Sequence, residues 1–314
     1  MRGLFPHREA EGGEDRDARG DRMKFNLPAR QPFNFRSVIQ SHGWVQLAPY
    51  GYDEATGVFA YVDRLSSGRV VEYRISESAE GVQAQTEALT KSELAEAKEK
   101  IRWMFALDAD FSAFYKAARK EPKLRRAETL ARGRVLRSPT LFEDVVKTIL
   151  TTNTLWGATK RMNLNLINLF GEPFPADGTR RAFPTPQAIA ASNAETLREK
   201  VRVGYRASAI HELAVKTASG QLDLEALKRS SLPTLELRKE LLKINGIGTY
   251  AAANLLLILG RSDFIPIDSW ALKLVSHEWH DGEPVTAKDV ERRFEKWGEF
   301  KGFAYWFWDW KYEA

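Results

Sequence analysis

The spacing of apolar residues changes along the chain and predicts two kinds of structure. Short apolar segments at Trp44–Tyr50, Gly57–Leu65 and Arg69–Ile75 are rich in valine, tyrosine and phenylalanine, and turn residues separate them. This pattern predicts the strands of a small antiparallel sheet. From Leu89 onward the apolar residues recur at helical spacing, behind a threonine and a serine that are typical of a helix start.

After Asp110 the pattern predicts only helices, which prolines and glycines interrupt. The predicted fold is therefore mainly α with a small N-terminal antiparallel β domain, an α+β arrangement. We expect a disordered segment at 1–24, a β-rich domain at 25–108 and an all-helical domain at 109–314. The first segment is predicted to be disordered because it is polar, charged and aperiodic. Our hypothesis for Met23, at the end of this segment, is that translation starts there.

The segment Lys243–Trp270, KINGIGTYAAANLLLILGRSDFIPIDSW, begins with a glycine pair inside a helical pattern. Gly246 and Gly248 predict a tight turn between two helices, the second starting near Thr249. That helix is apolar nearly all round, so we expect it to be buried. A helix start reached through glycines presents free N–H groups and the positive end of the macrodipole, to which a phosphate can bind. The alternative is a plain helical turn.

Asp268 is a single acid between apolar neighbours, twenty residues after Gly248. An acid in such surroundings is costly unless it is hydrogen-bonded or takes part in chemistry. As the N-cap of the next helix, its carboxylate would be held ionised by backbone N–H groups. The roles of helix cap and catalytic acid are compatible with each other.

Composition excludes several classes of protein. The 314 residues include no cysteine, which excludes disulfides, thiol nucleophiles and cysteine-ligated zinc or iron–sulfur centres. No apolar run reaches the roughly 18 residues that span a bilayer, and no apolar signal core stands at the N-terminus. The net charge is +5, and residues 116–137 hold nine basic side chains against two acids. We interpret that stretch as a surface for a polyanion; a solvated basic helix face is the alternative.

The sequence from Leu241 to Asp268 resembles the helix-hairpin-helix, Gly/Pro-rich loop and aspartate signature of the HhH-GPD superfamily of DNA glycosylases. The resemblance places the hairpin within about 236–260 and the Gly/Pro-rich loop at Gly260–Pro266. It implies that Asp268 promotes cleavage of the N-glycosidic bond. It also implies that the hairpin holds a DNA phosphate through Asn245, Gly246, Ile247, Gly248 and Thr249.

Further segments extend the resemblance over most of the chain from about residue 30. Ser138–Thr154 is similar to the helix that leads to the residue filling the gap left by an extruded base. In the 8-oxoguanine branch that residue is an asparagine, which falls at Asn153. Phe183–Ala190 and Val203–Ile210 resemble that branch and the alkylpurine (3-methyladenine) glycosylases. Each of these matches has an alternative interpretation when it is considered alone. For Asn153 the alternative is a turn or cap residue, and for Tyr205 it is a core residue.

Departures from the family pattern bear on the activity. Bifunctional members carry a lysine two residues after the second glycine, where this chain has Tyr250. Tyrosine forms no Schiff base, so the resemblance implies that lyase activity is absent. The cysteine quartet of the cluster-binding branch is absent too. The glutamine of the 8-oxoguanine base pocket corresponds to Tyr305. Tyr305, Trp306 and Trp270 are the base-pocket candidates, whose faces would suit a cationic alkylated purine; packing onto the core is the alternative.

The sequence therefore predicts a monofunctional base-excision-repair DNA glycosylase that acts on a flipped-out damaged purine, alkylated or oxidised, in duplex DNA. The alternatives are a mismatch uracil or thymine glycosylase, with which Tyr250 is compatible, and a non-catalytic helix-hairpin-helix DNA-binding protein. We expect no required cofactor, no metal and no iron–sulfur cluster; a monovalent cation at the hairpin fits the resemblance. The expected partner is double-stranded DNA with a damaged base. We expect a monomer, unattached to membranes, in the prokaryotic nucleoid or a eukaryotic nucleus.

Overall fold

An antiparallel six-stranded sheet forms the N-terminal part of the computed structural model, which describes Asp15–Arg16 and residues 21–308. Its strand order is β1-β2-β6-β5-β4-β3. The strands are β1 (Asp15–Arg16), β2 (Arg22–Pro28), β3 (Tyr50–Asp53), β4 (Val58–Arg64), β5 (Val70–Ser78) and β6 (Gly81–Glu87). The predicted small antiparallel sheet is thus confirmed, and β4 and β5 fall on two of the three predicted segments. The prediction of a strand at Trp44–Tyr50 is wrong, because Gly43–Gln46 form a 3-10 turn and only Tyr50 belongs to a strand, β3. Strands β1, β2 and β6 are additional.

The prediction of disorder over residues 1–24 is wrong for residues 22–24, which belong to strand β2. Strand β2 begins at Arg22, and Met23 is only 1% exposed. Met23, Phe25 and Leu27 point into the core, while the residues between them face outward. The polar outward positions made the start of this strand look like part of the charged segment. Residues 1–14 and 17–20 lie outside the described residues.

Helices make up most of the remainder. Helix α1 (Phe35–Ile39) and a 3-10 turn (Gly43–Gln46) connect β2 to β3, and α2 (Lys91–Met104) follows the sheet. Thr90 and Glu93 form a capping box at the start of α2. The later helices are α3 (Ser112–Ala118), α4 (Leu141–Thr151), α5 (Trp156–Phe170), α6 (Pro186–Ala190), α7 (Ala194–Thr196), α8 (Ala207–Ala218), α9 (Leu224–Lys228), α10 (Thr234–Leu242), α11 (Thr249–Ile258), α12 (Ser269–Trp279), α13 (Ala287–Phe294) and α14 (Lys301–Trp306).

The C-terminal part is not all-helical, contrary to the sequence prediction. Strands β7 (Pro173–Phe174) and β8 (Asp177–Arg181) form a hairpin that packs on the N-terminal sheet. Phe174 clusters with Val62 of β4, and Arg180 forms an ion pair with Glu72 of β5 at 2.5 Å. The sequence of β8 is Asp-Gly-Thr-Arg-Arg, which has no apolar alternation, so only its tertiary partners reveal it as a strand.

Helix α4 lies between the sheet and the other helices, and every residue from Leu141 to Leu150 is buried. Its charged residues are therefore buried as well. Lys147 Nζ pairs with Glu143 Oε1 at 2.5 Å, and the Tyr61 hydroxyl donates to Glu143 Oε2 at 2.6 Å. Trp44 Nε1 donates to Asp144 Oδ1 at 2.8 Å. We call this set, Glu143, Asp144 and Lys147 with Trp44, Tyr50 and Tyr61, the α4 seam.

Helix α11 is buried from Ala251 to Ile258, which confirms its prediction as the spine of the helical part. It spans ten residues. No helix in the described part of the chain is long and apolar enough to cross a membrane.

Candidate active site and nucleic-acid interface

The predicted hairpin is present, and its two glycine positions differ in whether the backbone there requires glycine. Gly246 has φ +86°, and a Cβ at this position would lie 2.9 Å from the Cβ of Ala209. Only glycine fits there without strain. Gly248 has φ −92°, and a Cβ there would meet nothing within 4 Å. The tight turn predicted from the two glycines is present, but its backbone requires glycine only at Gly246.

The start of α11 offers backbone donors toward the surface. Its first intrahelical bond runs from Ala252 N to Gly248 O at 2.9 Å, and Gly248 supplies no side-chain cap. The N–H groups of Thr249 and Tyr250 therefore precede the hydrogen-bonded ladder. Ile247 is buried and anchors the turn, and Asn245 Nδ2 donates to Glu212 Oε2 of α8 at 2.7 Å. This geometry suits an oxyanion at Gly248.

Asp268 is the N-cap of α12, as one of its two predicted roles required. Its Oδ1 accepts from Trp270 N and Ala271 N, both at 2.9 Å. Tyr305 is near enough to Asp268 for the charge of the carboxylate to act on its phenol. Burial, and then the charge of Asp268, raises the pKa of Tyr250 to about 12 and that of Tyr305 well above its usual value. Both phenols therefore stay protonated beside the carboxylate.

Asp268 lies where a surface groove meets a smaller cavity. The groove, about 760 Å³, is lined by the end of α4, Tyr205, the hairpin and residues 267–269. The cavity, about 260 Å³, shares Thr151, Thr154, Tyr250 and Asp268 with it. The other residues lining the cavity are His42, Gly43, Trp44, Trp156, Thr159, Asn254 and Trp306. The carboxylate thus faces both spaces.

The cavity walls are aromatic. The His42 ring lies 4.6 Å from the Trp44 ring and 6.2 Å from the Trp306 ring, measured between centroids. The indole N–H groups of Trp44, Trp156 and Trp306 donate elsewhere in the protein, to Asp144 Oδ1, Gln46 Oε1 and Ser41 O. The walls therefore present ring faces and edges without these donors.

His42 is held neutral inside this wall. Burial lowers the pKa of His42 to about 4. Its Nε2 lies 2.6 Å from the carbonyl oxygen of Leu136, so the neutral ring carries its proton on Nε2 and donates it there. The imidazole consequently adds no positive charge to the cavity at neutral pH.

Sequence reasoning missed the polar member of the cavity and its N-terminal side. Asn254 is 7% exposed and interrupts the apolar run of α11, which was an available signal. Its amide can pair with donors and acceptors on the edge of a base. His42 and Trp44 come from the N-terminal domain, more than 200 residues before Asp268, and carry no pattern that points to the site.

The three base-pocket candidates have different positions. Trp306 lines the cavity. Tyr305 is 7% exposed and lies behind Asp268, against Phe294 at 5.9 Å between ring centroids. Trp270 is 46% exposed and does not line the groove or the cavity. It belongs to the first turn of α12, directly after the cap, so this geometry does not support its selection as a pocket residue, which stays a prediction.

Asn153 stands at the rim of the groove, directly after α4. It has φ +46°, and its Nδ2 donates to the Tyr205 hydroxyl at 3.3 Å. Tyr205 is 64% exposed, so its interpretation as a core residue is wrong. The buried Arg206 donates to the carbonyl oxygens of Thr152 and Asn153, which holds this backbone. Leu155, 83% exposed, protrudes beside them and was missed by the sequence analysis.

The basic stretch 116–137 does not form one polyanion surface. Arg134 and Arg137 are 2% and 8% exposed, and Arg134 donates to the carbonyl oxygens of Arg30, Pro32 and Ala106. Arg119 is paired with Glu128. No residue of the stretch lines the groove or the small cavity. Arg134 therefore holds loops together instead of facing a ligand, a role that a count of charges does not reveal.

The fold and the site together define a helix-hairpin-helix protein with an aspartate at the mouth of an aromatic cavity. Residues 146–300, about half of the chain, match the family described as HhH-GPD superfamily base excision DNA repair protein. The chain belongs to this superfamily, which confirms the resemblance and the predicted fold class. Among the described residues, no group of three or more His, Asp or Glu side chains is arranged to hold a metal ion.

Relatives of this chain fall in the branches that the sequence resembles. The chain is 28% identical over 175 residues to a DNA-3-methyladenine glycosylase of Bacillus subtilis (strain 168). The match covers 55% of this chain and 57% of that protein, so the chain spans little more than half of the relative's length.

Solved structures match over nearly the whole chain. MBOgg1 in complex with a low-affinity DNA ligand is 26% identical with a TM-score of 0.69, covering 95% of this chain and 98% of that one. The apo 8-oxoguanine glycosylase/lyase of Clostridium acetobutylicum is 21% identical with a TM-score of 0.70, covering 94% and 96%. The second likeness shows the shared fold, including the N-terminal sheet.

Proposed function

We propose that this chain is a DNA glycosylase of base excision repair that hydrolyses the N-glycosidic bond of a flipped-out damaged purine in duplex DNA. The observation that carries the proposal is the position of Asp268 between the hairpin groove and the aromatic cavity. Membership of the HhH-GPD superfamily and the likeness to a 3-methyladenine glycosylase support it.

The arrangement suggests how the steps divide among the residues. A backbone phosphate binds the free N–H groups of Thr249 and Tyr250 at the start of α11, which anchors the strand without reading its sequence. The extruded base enters the aromatic cavity, which leaves its deoxyribose beside Asp268. As the bond to the base breaks, the sugar becomes positively charged; the Asp268 carboxylate stabilises that charge and orients or deprotonates a water. This chemistry requires no cofactor.

The character of the cavity favours an alkylated purine over an oxidised one. Aromatic faces attract a cation, and the neutral His42 does not repel it. The indole donors of Trp44, Trp156 and Trp306 are already used within the protein. Asn254 remains to read the edge of the base. We therefore propose cationic purines such as 3-methyladenine and 7-methylguanine as the preferred substrates.

We propose that the enzyme lacks lyase activity. Tyr250 stands beside Asp268 where an attacking amine would be needed, and its pKa of about 12 keeps it a neutral phenol. No lysine lines the groove or the small cavity within the described residues. Without an amine near the sugar, no Schiff base can form with the abasic site.

The test uses end-labelled duplexes that each carry one lesion: 3-methyladenine, 7-methylguanine, hypoxanthine, ethenoadenine, 8-oxoguanine or mismatched uracil. We expect strand breaks only after hot alkali, and fastest for the methylated purines. Breaks without alkali would refute the absence of lyase activity, and release of mismatched uracil alone would favour the mismatch glycosylase. If no base is released from any duplex, the result would favour the alternative of a non-catalytic DNA-binding protein.

Asp268→Asn is the decisive variant. Because asparagine also caps helices, its stability should stay near that of the wild type. Loss of the charge should lower base release by about 100-fold or more while duplex binding is retained. The matched control is Asp263→Asn, which removes a similar charge from the loop before α12 outside the groove and the cavity. Equal loss in both variants would mean that general charge, and not the position of Asp268, governs the reaction.

We make two further proposals, one on the oligomeric state and one on a cation at the hairpin. We propose that the enzyme acts as a monomer on duplex DNA, which light scattering of the free and DNA-bound protein measures. We also propose that carbonyl groups of the hairpin bind a monovalent cation when DNA is bound. DNA affinity in potassium compared with tetramethylammonium at one ionic strength tests this second point.

A further inference from the structure

A cavity of about 530 Å³ lies away from the groove, at the opposite end of α11 from the hairpin. Leu257, Leu259 and Gly260, at the C-terminal end of that helix, contribute to its lining. Because α11 has ten residues at about 1.5 Å per residue, the cavity is roughly 15 Å from the hairpin along the helix. None of its lining residues lines the groove or the small cavity.

Arg137 is the residue lining this cavity that most strongly indicates a ligand. It is 8% exposed, and its Nε has no hydrogen-bond partner within the part of the chain that the structure describes. Its guanidinium stacks on the Trp103 ring, 4.2 Å from the centroid. Asp144 is near enough to favour the charged form of Arg137, but its carboxylate accepts from Trp44 Nε1 and Ser138 N. A buried guanidinium without a bonded anion is costly.

Other cations gather around Arg137. Lys228, Arg229 and Arg261 line the same cavity, which gives four basic side chains against the three acids Asp110, Asp263 and Glu299. Asp110 is already paired with Arg30, which stands outside the lining, at 2.7 Å. The Lys228 ammonium lies over the same Trp103 ring as Arg137, 4.6 Å from the centroid. Lys228 is likewise paired, with Glu225 at 3.1 Å, and Glu225 also stands outside the lining. Without these two paired residues, three arginines remain against Asp263 and Glu299, so the balance of charge in the cavity is positive.

The N-terminus of α10 also faces this cavity. Thr234, its first residue, lines the space and is 9% exposed. The residue before it is Pro233, and no side chain caps the helix. This nine-residue helix consequently adds free N–H groups and a positive macrodipole end to the same place.

We infer that this cavity is a second binding site, for a small phosphomonoester of nucleotide size, with Arg137 as its principal ligand. Guanidinium groups bind phosphate oxygens in a bidentate manner. The aromatic and aliphatic side chains of Phe111, Leu257 and Phe303 form a wall against which an organic group can pack. The volume lies within the usual range for small-molecule sites, about 300–1,000 Å³. The site is separate from the proposed glycosylase chemistry and does not depend on it.

The test measures thermal unfolding and calorimetric binding of the full chain with sodium phosphate, AMP and adenosine. Chloride keeps the ionic strength constant in every sample. We expect phosphate and AMP to raise Tm, with AMP binding at least tenfold more tightly, and adenosine to have no effect. If phosphate and AMP bind alike, the site takes free phosphate and the inferred organic group is wrong. If neither ligand shifts Tm beyond chloride, the whole inference is wrong.

Variants locate the site. Arg261→Gln should weaken AMP binding at least tenfold, whereas Lys239→Gln, on the exposed face of α10, should leave it unchanged. Arg137→Gln should abolish binding and, without ligand, leave the protein as stable as the wild type or more so, because an unpaired buried charge is removed. Gly248→Ala should keep the Tm shift. If Gly248→Ala loses the shift and Arg261→Gln keeps it, the anion binds the hairpin and the inference fails.

Discussion

The hairpin and the α4 seam are both polar regions, yet they use polar groups in opposite ways. At the hairpin, the backbone N–H groups of Thr249 and Tyr250 precede the hydrogen-bonded ladder of α11 and lie beside the groove. At the seam, charged side chains of α4 are withdrawn from water, and Lys147 is fully buried against Glu143. The hairpin keeps its donors for a ligand, whereas the seam uses its donors and acceptors to join α4 to the N-terminal sheet.

Trp44 connects the two regions. Its indole N–H is bonded to Asp144 in the seam, while its ring lines the cavity beside Asp268. Helix α4 itself carries Thr151 at the cavity and leads directly to Asn153 at the groove. The seam therefore positions the site without touching a substrate, and variants of the two regions should separate stability from binding.

The largest effect should come from breaking the buried ion pair of the seam. Lys147→Met leaves the Glu143 carboxylate buried without its cation, which should lower the free energy of unfolding by about 3–5 kcal/mol. Urea denaturation measures it. The double variant Lys147→Met with Glu143→Gln should recover most of the loss, since no unpaired charge remains.

The matched control is Lys239→Met, which breaks the exposed pair with Glu236 at 2.8 Å. An exposed pair contributes about 0–1 kcal/mol, so this change should be small. A loss of similar size in Lys147→Met and Lys239→Met would mean that the seam does not behave as a buried pair.

Asp144 should give the seam a pH dependence. Burial raises the pKa of Asp144 from 3.8 to about 7, although hydrogen bonds from Ser138 and Trp44 oppose the rise. Since the folded-state value lies above the unfolded one, ionising Asp144 costs stability as pH rises from about 4 to about 7. The cost approaches about 4 kcal/mol above pH 7, at roughly 1.4 kcal/mol per unit.

Asp144→Asn removes this titration, so the variant should gain stability relative to the wild type as pH rises from 4 to 8. Urea unfolding of both proteins across that range measures the difference. Glu143, Lys147 and Arg137 are the charged neighbours, and they remain in both proteins. A constant difference between variant and wild type would show that Asp144 is not the titrating group.

The contrast between the hairpin and the α4 seam also explains why the first could be predicted from the sequence and the second could not. The hairpin, the buried α11 and the Asp268 cap lie within thirty residues, so turn chemistry and apolar period were enough to find them. The seam joins Trp44 to Asp144 and Tyr61 to Glu143, pairs separated by 100 and 82 residues. Contacts that distant leave no local pattern, and for the same reason the sequence predicted neither the role of His42 nor the burial of Arg137.

A smaller effect should distinguish the two glycines of the hairpin. Gly246→Ala forces an alanine to φ +86° against Ala209, which should lower the free energy of unfolding by about 1–3 kcal/mol. Gly248→Ala meets open space and a permitted φ, so its stability should change by less than about 0.5 kcal/mol. Its Cβ instead occupies the approach to the N–H groups.

DNA binding by Gly248→Ala should weaken about tenfold, equally for duplexes of different sequence, because a backbone contact carries no sequence information. Fluorescence anisotropy of labelled duplexes measures this. Loss confined to one sequence would contradict phosphate binding at the hairpin, and a large loss of stability in Gly248→Ala would contradict the open geometry.

The smallest effect should come from Asn153, at the rim of the groove. Its φ of +46° would strain an alanine, so Asn153→Gly is the cleaner variant, since it keeps the backbone and removes the amide. Without a side chain to fill the space of the extruded base, cleavage of a lesion in duplex DNA should slow about tenfold, near the value of one hydrogen bond. Cleavage of the same lesion in single-stranded DNA should be unchanged, because no partner base is left behind.

Tyr205→Phe serves as the control for this last prediction. It removes the 3.3 Å bond from Asn153 Nδ2 to the Tyr205 hydroxyl while leaving the ring exposed at the groove. If that bond merely orients Asn153, the variant should show a duplex loss smaller than that of Asn153→Gly. Equal losses on duplex and single-stranded substrates in Asn153→Gly would instead assign Asn153 to the local backbone, and the groove would need another residue, with Leu155 the most exposed neighbour, to fill the vacated space.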